Sequence, residues 1–596
     1  MKVAAGPEIN SMSALQSRMR QVISAINSAD TEQFLSIGPS DDVDNAIEDV
    51  DDQNTVLIFR PGNYHLAGNP AMDILNRTRI TLWFMPGATI MTEGAGHGID
   101  INGGSEITLI GLNLDGVGNA DGQTAIWVRN EAADIRFINT RFWIWPAGPC
   151  ITLRECDRVT VDDAWSLDTP NSSGFMNIFG GQGVTLNNCH MRPATITGSH
   201  TGANNQLTVM TDSTKAWAVD ALAGQIITNI TKNVIGTITS NTANTATCTA
   251  GLTGGADWDT GDTYIIRANC DQHIDIKALD RDVGDIHISN VSATDCVDLI
   301  GIGTEMGNGT VIENVTVVNG TTRRCTYPVY IKAYKYDAGY TQGIVRGVSM
   351  KNIVFEDALG AKLLNGLKIM SEDDHSGLAD VYGLDIQMRG RGCFASPAGG
   401  SSTAFWIGNV SKSKLDLAFE GVNGTNDLSA VMAFRGLARD LDITVQSTGF
   451  AAGKGIDAYD TECDIDDIFI HDFNLKTVPA GTTWMETQAG ATVGTIYLRR
   501  GFVPVGAIRT IGPGTINQHD VINSLTEVKG RATLVAGTVT VNNANAAAAR
   551  DIEAFAIDNN TTGALRISAV VDGVSFTITS SNLLDTGVVA WEIKEP

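Results

Sequence analysis

The stretches Thr55-Val-Leu-Ile-Phe-Arg-Pro-Gly-Asn-Tyr-His-Leu66 and Ile80-Thr-Leu-Trp-Phe-Met-Pro-Gly-Ala-Thr-Ile90 share one pattern. In each, a short apolar strand runs into a Pro-Gly turn, and a second strand follows. Proline and glycine supply the backbone angles that tight turns need. The pair therefore predicts two successive turns of a coil built from short strands.

Beyond these two stretches, short apolar strands recur along the chain. Their spacing lies in the roughly 20–50-residue window typical of solenoids. A first series of strands contains Ile99, Ile126, Ile151, Ile274, Leu299, Val329, Leu367, Phe405, Met432 and Ile456. A second series keeps step with it at Ile107, Ile135, Val159, Val184, Ile286, Val311, Val348, Leu384, Leu415, Leu441, Ile468 and Ile496. Two series in step predict two stacked sheets and an all-β solenoid, a parallel β-helix over residues 53–515.

The second series carries an asparagine just past its strand in several coils. Stacked asparagine side chains at one bend can hydrogen-bond to each other and to the backbone. We therefore expect an asparagine ladder along the solenoid. Its predicted members are Asn139, Asn187, Asn290, Asn314 and Asn352.

Three segments depart from the solenoid pattern. Residues 196–267 are rich in Thr, Asn and Gly, and removing them restores the coil spacing, so we expect a small inserted β domain. Residues 516–596 alternate as short strands, which predicts a β-rich cap because the last coil exposes unpaired backbone. We expect this cap to trimerise the chain; a carbohydrate-binding module is the alternative.

Residues 1–52 form the third segment. From Glu8 to Ser28, apolar residues recur at three- and four-residue steps, which indicates an amphipathic helix, and an acidic linker follows. The helix either packs on its own domain or forms a three-helix stem that attaches the protein to a virion.

The chain of 596 residues has a formal net charge of −26, with 41 basic and 67 acidic residues. Such a field repels phosphate backbones and anionic lipid, so nucleic acid is not an expected partner. No apolar run reaches the ~18–20 residues of a membrane span, and Met1 to Asn10 lack a secretory pattern. We expect synthesis in a host cytoplasm without membrane insertion.

Nine cysteines are scattered without a CxxC pair, so neither a zinc site nor a disulfide framework is predicted. The odd number favours reduced, buried thiols.

The stretch Ser371-Glu-Asp-Asp-His-Ser376 offers hard oxygen ligands for calcium, but it lacks the glycine spacing of a calcium loop. We favour a polar turn there and expect no cofactor.

Alternation along each first-series strand predicts which side chains point away from the core. Acids, lysines and aromatic residues dominate this outward column, and these types suit a glycan: rings stack on sugars, lysines meet anionic groups and carboxylates do acid–base work. A solvated polar face is the alternative, and it explains the two tryptophans poorly. The column contains Asp100, Trp127, Asp275, Asp298, Tyr330, Lys332, Lys368, Trp406 and Asp457.

Asp275 and Asp298 are the predicted catalytic pair. We place them at matching positions of adjacent coils, ~4.8 Å apart, where each carboxylate raises the pKa of the other and gives an acid and a base. The sequence leaves retaining and inverting geometries open. Asp271, Asp295 and Glu305 are the substitutes if the strand register differs. Lys332, Tyr330, Lys368, Trp406 and Trp127 are the predicted substrate-binding residues.

The opening strand pair resembles the entry to pectate-lyase-like right-handed β-helices, and the inserted domain resembles those of bacteriophage tailspikes. This resemblance implies a right-handed helix and a homotrimer. The stretches 269–276, 295–303 and 329–332 are similar to the active-site coils of polygalacturonase-type glycoside hydrolases. There, Lys332 matches a lysine that binds the uronate, and Gly301-Ile-Gly303 resembles a conserved turn.

Two departures limit the transfer of roles from that family. Tyr330 stands where the family has arginine, and Cys296-Val297-Asp298 replaces its histidine-bearing triplet. The resemblance still implies a virion protein of the phage tail, attached through its N-terminus, that binds and hydrolyses an acidic bacterial surface polysaccharide such as capsule, O-antigen or exopolysaccharide. A lyase on the same fold and a non-catalytic glycan-binding fibre are the alternatives.

Overall fold

The computed structural model places the chain in two compact units, Met1–Asp374 with Asp380–Gly400 and His375–Ala379 with Ser401–Pro596. The amphipathic helix predicted for Glu8 to Ser28 lies outside the described residues. The residues that the structure describes are 33–50, 54–94, 96–116, 123–145, 148–170, 174–232, 234–279, 281–304, 308–333, 341–356, 365–371, 380–393, 402–421, 427–448, 451–452, 454–458, 464–474, 483–487, 492–499, 501–503, 508–510, 515–518, 521–523, 529–542, 551–571 and 574–594.

The first unit opens with strand β1 (Gln33–Ile37) and the short helix α1 (Val43–Glu48). Asp42 caps this helix, because its side chain accepts a hydrogen bond from the Asn45 backbone N–H. The next strands are β2 (Thr55–Phe59), β3 (Gly62–Leu66), β4 (Met72–Leu75), β5 (Thr78–Phe84), β6 (Ala88–Thr92), β7 (Ile99–Asn102), β8 (Ser105–Ile110), β9 (Asn113–Asp115), β10 (Ile126–Arg129), β11 (Arg136–Trp143), β12 (Ile151–Asp157), β13 (Thr160–Thr169), β14 (Met176–Gln182) and β15 (Thr185–Pro193).

A small antiparallel β structure follows within residues 195–267. Its four-stranded sheet has the order β16-β22-β18-β19, its three-stranded sheet has the order β17-β21-β20, and Trp258 and Tyr264 are buried in its core. The strands are β16 (Thr195–Ser199), β17 (Val209–Thr211), β18 (Ile226–Asn229), β19 (Val234–Thr237), β20 (Ser240–Asn241), β21 (Thr245–Thr247) and β22 (Thr263–Arg267), with a 3-10 turn at Thr253–Gly255.

The solenoid resumes directly after this structure, since Met176 of β14 pairs with Ile274 of the next solenoid strand. The remaining strands of the first unit are β23 (Ile274–Lys277), β24 (Val283–Thr294), β25 (Asp298–Gly303), β26 (Val311–Arg323), β27 (Tyr327–Ala333), β28 (Ile344–Glu356), β29 (Leu367–Ser371), β30 (Val381–Tyr382) and β31 (Asp385–Cys393).

The solenoid strands pair in parallel, each with the strand one coil on, so the prediction of a parallel β-helix is confirmed. We call β4, β7, β10, β12, β14, β23, β25, β27 and β29 the site sheet. Its stacked inward residues are fully buried and apolar, as a continuous core requires. They are Ile99, Ile126, Ile151, Met176, Ile274, Ile300, Val329 and Leu367.

This stack corrects the predicted first series at one place. Ile300, not Leu299, pairs with Ile274 and Val329. Leu299 and Ile300 are consecutive and both fully buried, so the strict alternation assumed from the sequence fails there. The register of the coil that carries Asp298 therefore differs from the prediction.

An asparagine ladder runs along the second series, and it contains three of the predicted members, Asn187, Asn290 and Asn352. Asn290 donates to Asn187, Asn319 donates to Asn290 and Asn352 donates to Asn319, at 2.8–3.0 Å. The prediction missed Asn319 and wrongly included Asn314, which donates to Asp285 instead.

The second unit contains parallel strands and an antiparallel C-terminal part. The parallel strands are β32 (Ser402–Gly421), β33 (Asp427–Thr448), β34 (Ala451–Ala452), β35 (Lys454–Ala458), β36 (Asp464–Asn474), β37 (Thr483–Thr487), β38 (Thr492–Val493), β39 (Thr495–Arg499), β40 (Gly501–Val503), β41 (Ile508–Thr510), β42 (Thr515–Gln518) and β43 (Val521–Asn523).

Two three-stranded antiparallel sheets, β44-β49-β46 and β45-β48-β47, form the C-terminal part around Phe576 and Trp591. The β-rich C-terminus is thus confirmed. Its strands are β44 (Lys529–Thr533), β45 (Thr538–Asn542), β46 (Asp551–Ala556), β47 (Leu565–Val571), β48 (Ser575–Ser580) and β49 (Val588–Lys594). Among the residues described in both units, no helix has the length and apolar character to cross a bilayer.

Candidate functional site

The site sheet aligns five of the predicted outward residues of the first unit in one row across its strands: Asp100, Trp127, Asp275, Tyr330 and Lys368. We call this row the site row. Asp275 pairs with Gly301, Gly301 with Tyr330 and Tyr330 with Lys368. The row consists of Asp73, Asp100, Trp127, Thr152, Asn177, Asp275, Gly301, Tyr330 and Lys368.

Asp275 and Asp298 do not occupy matching positions, and this corrects the prediction. Asp298 pairs with Tyr327 at the start of β25, whereas Asp275 pairs with Gly301. The two carboxyls still converge, because residue 301 has no side chain. A methyl group on Gly301 would lie 3.2 Å from Asp275 Oδ1 and 3.3 Å from Asp298 Oδ2. Gly301-Ile302-Gly303, expected from the resemblance to form a turn, is part of strand β25.

Burial raises the pKa of both carboxyls, but their charged neighbours differ. Burial, and then the charge of Asp275, raise the pKa of Asp298 to about 8. Burial also raises the pKa of Asp275, but Lys277 Nζ lies 2.6 Å from Asp275 Oδ2 and favours its charged form. Asp298 Oδ1 is buried and has no hydrogen-bond partner among the described residues. At neutral pH, Asp298 therefore holds a proton that it can donate.

Lysines and tyrosines flank the carboxyl pair on the next two coils. Lys368 Nζ lies 4.9 Å from the ring centroids of both Tyr327 and Tyr330, and Lys332 Nζ lies 5.1 Å from that of Tyr330. The two rings are 5.4 Å apart. Burial, and then Asp298, raise the pKa of Tyr327. The site thus combines two carboxyls with cations and aromatic rings, the types of group that bind and cleave an acidic sugar chain.

The structure adds Lys277 and Tyr327 to the predicted residues. Lys277 pairs with Gly303, and Gly303 pairs with Lys332, so both lysines lie in one row beside the site row. The signal for Lys277 was present in the sequence, since it stands two residues after Asp275 on one strand. Tyr327 could not be found without the register that aligns it with Asp298.

Asp295 lies near this site but has a different environment. Its side chain is fully buried, and both carboxylate oxygens accept hydrogen bonds of 2.7 Å from Arg324. Asp271 is exposed, and its charge raises the pKa of both Asp275 and Asp298. Glu305 lies outside the described residues. Of the two substitutes that the structure describes, Asp271 is therefore the one that acts on the carboxyl pair from the solvent side.

Trp127 lies in the site row, but three strands away from Asp275, a distance of ~14 Å at ~4.8 Å per strand. Its ring centroid lies 4.4 Å from that of His97 and 4.3 Å from Arg129 Cζ. Arg129 in turn donates to both oxygens of Asp100. Trp127 therefore belongs to a separate cluster on the same face. Trp406 belongs to the second unit.

No group of three or more His, Cys, Asp or Glu side chains in the described part of the chain is placed to hold a metal ion. The acidic part of the stretch considered for calcium, residues 372–376, lies outside the described residues.

The cysteines described are unbridged and buried, with the pKa of Cys150 and of Cys189 raised by burial to about 12.

Comparison of the sequence with protein families gives one match. Residues 526–594 match the C-terminal domain of K1 capsule-specific polysaccharide lyase. No curated protein matches the chain.

Solved structures similar to this fold include a tailspike and polygalacturonases. A double mutant of the tailspike protein of E. coli bacteriophage HK620 is 10% identical, with 100% of this chain and 91% of that chain covered and a TM-score of 0.40. The family 28 exopolygalacturonase of Yersinia enterocolitica is 10% identical over 75% of this chain and 79% of that chain, with a TM-score of 0.40. The polygalacturonase of Erwinia carotovora is 11% identical over 71% and 93%, with a TM-score of 0.34.

Proposed function

We propose that this protein is a polysaccharide depolymerase of a phage tail that hydrolyses an acidic glycan of the bacterial surface. The observation that carries the proposal is the convergence of Asp275 and Asp298 beside Gly301, with the proton held by Asp298. A pair of carboxyls in unequal protonation states is what glycoside hydrolysis needs.

In the proposed reaction, Asp298 donates its proton to the glycosidic oxygen as the bond to the anomeric carbon breaks. Asp275 acts at that carbon, either as the nucleophile or as the base that activates water; the configuration of the first product distinguishes the two. Lys277 Nζ lies 2.6 Å from Asp275 Oδ2 and favours the charged form of this carboxyl against the effect of burial. Lys332 and Lys368 bind the acidic group of the sugar, and Tyr330 packs against the ring.

A lyase is the second candidate, and the match of residues 526–594 to the C-terminal domain of a capsule polysaccharide lyase favours it. β-Elimination requires a base that removes a proton next to the uronate carboxylate and a cation that neutralises that carboxylate. Lys332 would supply the base, Lys368 the cation and Asp298 the proton that the leaving glycosidic oxygen takes up. This route leaves an unsaturated sugar, whereas hydrolysis does not.

Cleavage of a panel of acidic capsules, O-antigens and exopolysaccharides tests the proposal. We expect the wild-type protein to shorten at least one polymer, and Asp298→Asn and Asp275→Asn each to shorten it far more slowly. Undiminished shortening by the double variant would remove these residues from the mechanism. Tight binding of a polymer without any shortening would favour a non-catalytic fibre.

The assembly proposed is a homotrimer attached to the phage tail through the N-terminal segment. Exposed apolar side chains on the strands and turns of the C-terminal part support self-association, since a concentration of exposed apolar residues often marks an interface. A sedimentation mass of three chains is expected, and a monomer at micromolar concentration would contradict the trimer. The exposed residues are Val535, Phe555, Ile557, Val571, Val574, Leu583 and Leu584.

A further inference from the structure

The second unit carries an outward row of its own. Trp406 of β32 pairs with Ala433 of β33, Ala433 with Asp457 of β35 and Asp457 with Glu486 of β37. We call these four residues the second row. The residues that flank Trp406, Ala433 and Asp457 in their strands are fully buried and apolar, so the second row faces away from the core. The flanking residues are Phe405, Ile407, Met432, Phe434, Ile456 and Ala458.

The two acids of the second row share one lysine. Lys454 Nζ lies 3.0 Å from Asp457 Oδ2 and 3.1 Å from Glu486 Oε2. The Asp457 side chain is only 7% exposed, and its other oxygen, Oδ1, is buried without a hydrogen-bond partner among the described residues. A buried carboxylate oxygen in this position is an acceptor for a donor brought by a ligand.

We propose that the second row and Lys454 bind neutral sugar residues of a glycan without cleaving them. The Trp406 ring packs on the apolar face of a pyranose. Asp457 Oδ1 and Glu486 accept hydrogen bonds from sugar hydroxyls, which are donors without charge. Trp406 and Asp457 are separated by two strand spacings, ~10 Å. The occupant is therefore at least a disaccharide.

Charge separates this site from the Asp275–Asp298 site. One lysine against two carboxylates leaves the second row net negative, so it repels uronates and sulfated sugars. Lys454 contacts both carboxylates and favours their charged forms, against the burial that raises the pKa of Asp457. The first site has Lys277, Lys332 and Lys368 around its carboxyl pair and suits an acidic sugar. The inference concerns binding alone and does not require cleavage at the first site.

The test is binding of the full-length protein to a panel of neutral and acidic oligosaccharides, measured by calorimetry. We expect neutral members with two or more sugars to bind. We also expect Asp457→Asn and Trp406→Ala each to weaken that binding at least tenfold. The double variant Asp275→Asn/Asp298→Asn should bind them as the wild type does.

Two matched controls come from the other sheet of the same unit. Asp442→Asn removes a carboxylate that pairs with His471, and Tyr497→Ala removes a half-exposed aromatic ring that stacks on Phe469. Neither change should alter binding. Asp457→Asn is isosteric, so it tests the site even if Trp406→Ala misfolds.

Three outcomes would overturn the inference. One is that no neutral oligosaccharide binds the wild-type protein. Another is that binding survives both second-row variants. The last is that binding is lost in the Asp275→Asn/Asp298→Asn variant, which would place the sugar at the first site. Loss of polymer cleavage with neutral-sugar binding intact would count against the proposed hydrolysis only.

Discussion

Gly301 is the residue that allows two carboxyls from different positions to share one volume. The atoms nearest to a methyl group at this position are carboxylate oxygens, at 3.2 and 3.3 Å. These side-chain ends can move aside, so the fold tolerates the extra carbon, whereas the proposed catalytic geometry does not.

We therefore expect Gly301→Ala to lower kcat by about 100-fold, the effect of displacing catalytic groups by ~1 Å. The melting temperature should change little. The matched control is Gly284→Ala, where a methyl group meets Gln182 at an ordinary 3.5 Å. Activity equal to wild type in Gly301→Ala would show that the convergence of the carboxyls is not used.

The raised pKa of Asp298 gives a pH dependence with a definite sign. As the proton donor, Asp298 must be protonated, so activity should fall as the pH rises past about 8. Asp298→Asn should lower kcat on the polymer by about 10²–10⁴-fold. A substrate with an activated leaving group, which needs no protonation, should largely escape this loss. If Asp298→Asn lowered kcat equally on both substrates, Asp298 would not be the general acid.

The same pKa predicts an effect on stability. The unfolded chain ionises Asp298 near 3.8, whereas the folded chain keeps it protonated up to about 8. Stability is therefore lost as the pH rises between these values. Asp298→Asn should melt at a higher temperature than wild type at pH 8, and the difference should vanish near pH 4. A difference independent of pH would contradict this assignment.

At the scale of elements, the bends of the solenoid depend on polar side chains that hold unusual backbone. Asn319 has a φ of 60° and joins two steps of the asparagine ladder. Asn319→Gly should cost about 1–2 kcal/mol for the lost hydrogen bonds. Asn319→Ala should cost about 1 kcal/mol more, since alanine resists positive φ. Equal unfolding free energies for the two variants would show that the backbone strain is not felt.

The ion pair of Asp295 and Arg324 holds the bend before β25 by a buried contact. Asp295→Ala leaves the charge of Arg324 buried, so we expect a loss of about 3–5 kcal/mol. Asp134→Ala is the matched control: Asp134 accepts from Arg158 in similar geometry, but both side chains are exposed, and about 0–1 kcal/mol is expected. Folded Asp295→Ala protein that has lost all activity would make Asp295 a catalytic residue.

The sequence predicts the solenoid well because every coil must present apolar residues to one shared core. Ile126, Ile151 and Ile274 carry that signal without knowledge of the turns between them. The register between neighbouring strands is harder to predict. It depends on places where the alternation of inward and outward side chains stops, as at Leu299 and Ile300. Because alternation stops at this place, the prediction put Asp298 at the wrong position in the strand and missed Tyr327.

At the scale of the whole molecule, charge distribution separates the two glycan sites that we propose on a strongly acidic chain. The net charge of −26 repels anionic polymers in general, so an acidic substrate needs the local cations Lys277, Lys332 and Lys368. The outward column predicted from the sequence contained members of both sites. It could not separate them, because the pairing of lysines with acids depends on which coils adjoin.

The central claim is hydrolysis at the Asp275–Asp298 pair, and the chemical fate of each cut bond tests it most directly. The wild-type protein and Asp298→Asn would digest a susceptible acidic polymer in water labelled with heavy oxygen, with products read by mass spectrometry and ultraviolet absorbance. We predict one heavy oxygen at each new reducing end, no unsaturated-uronate absorbance, and far slower release by the variant. Unsaturated products without the label, or equal rates for both proteins, would contradict the claim.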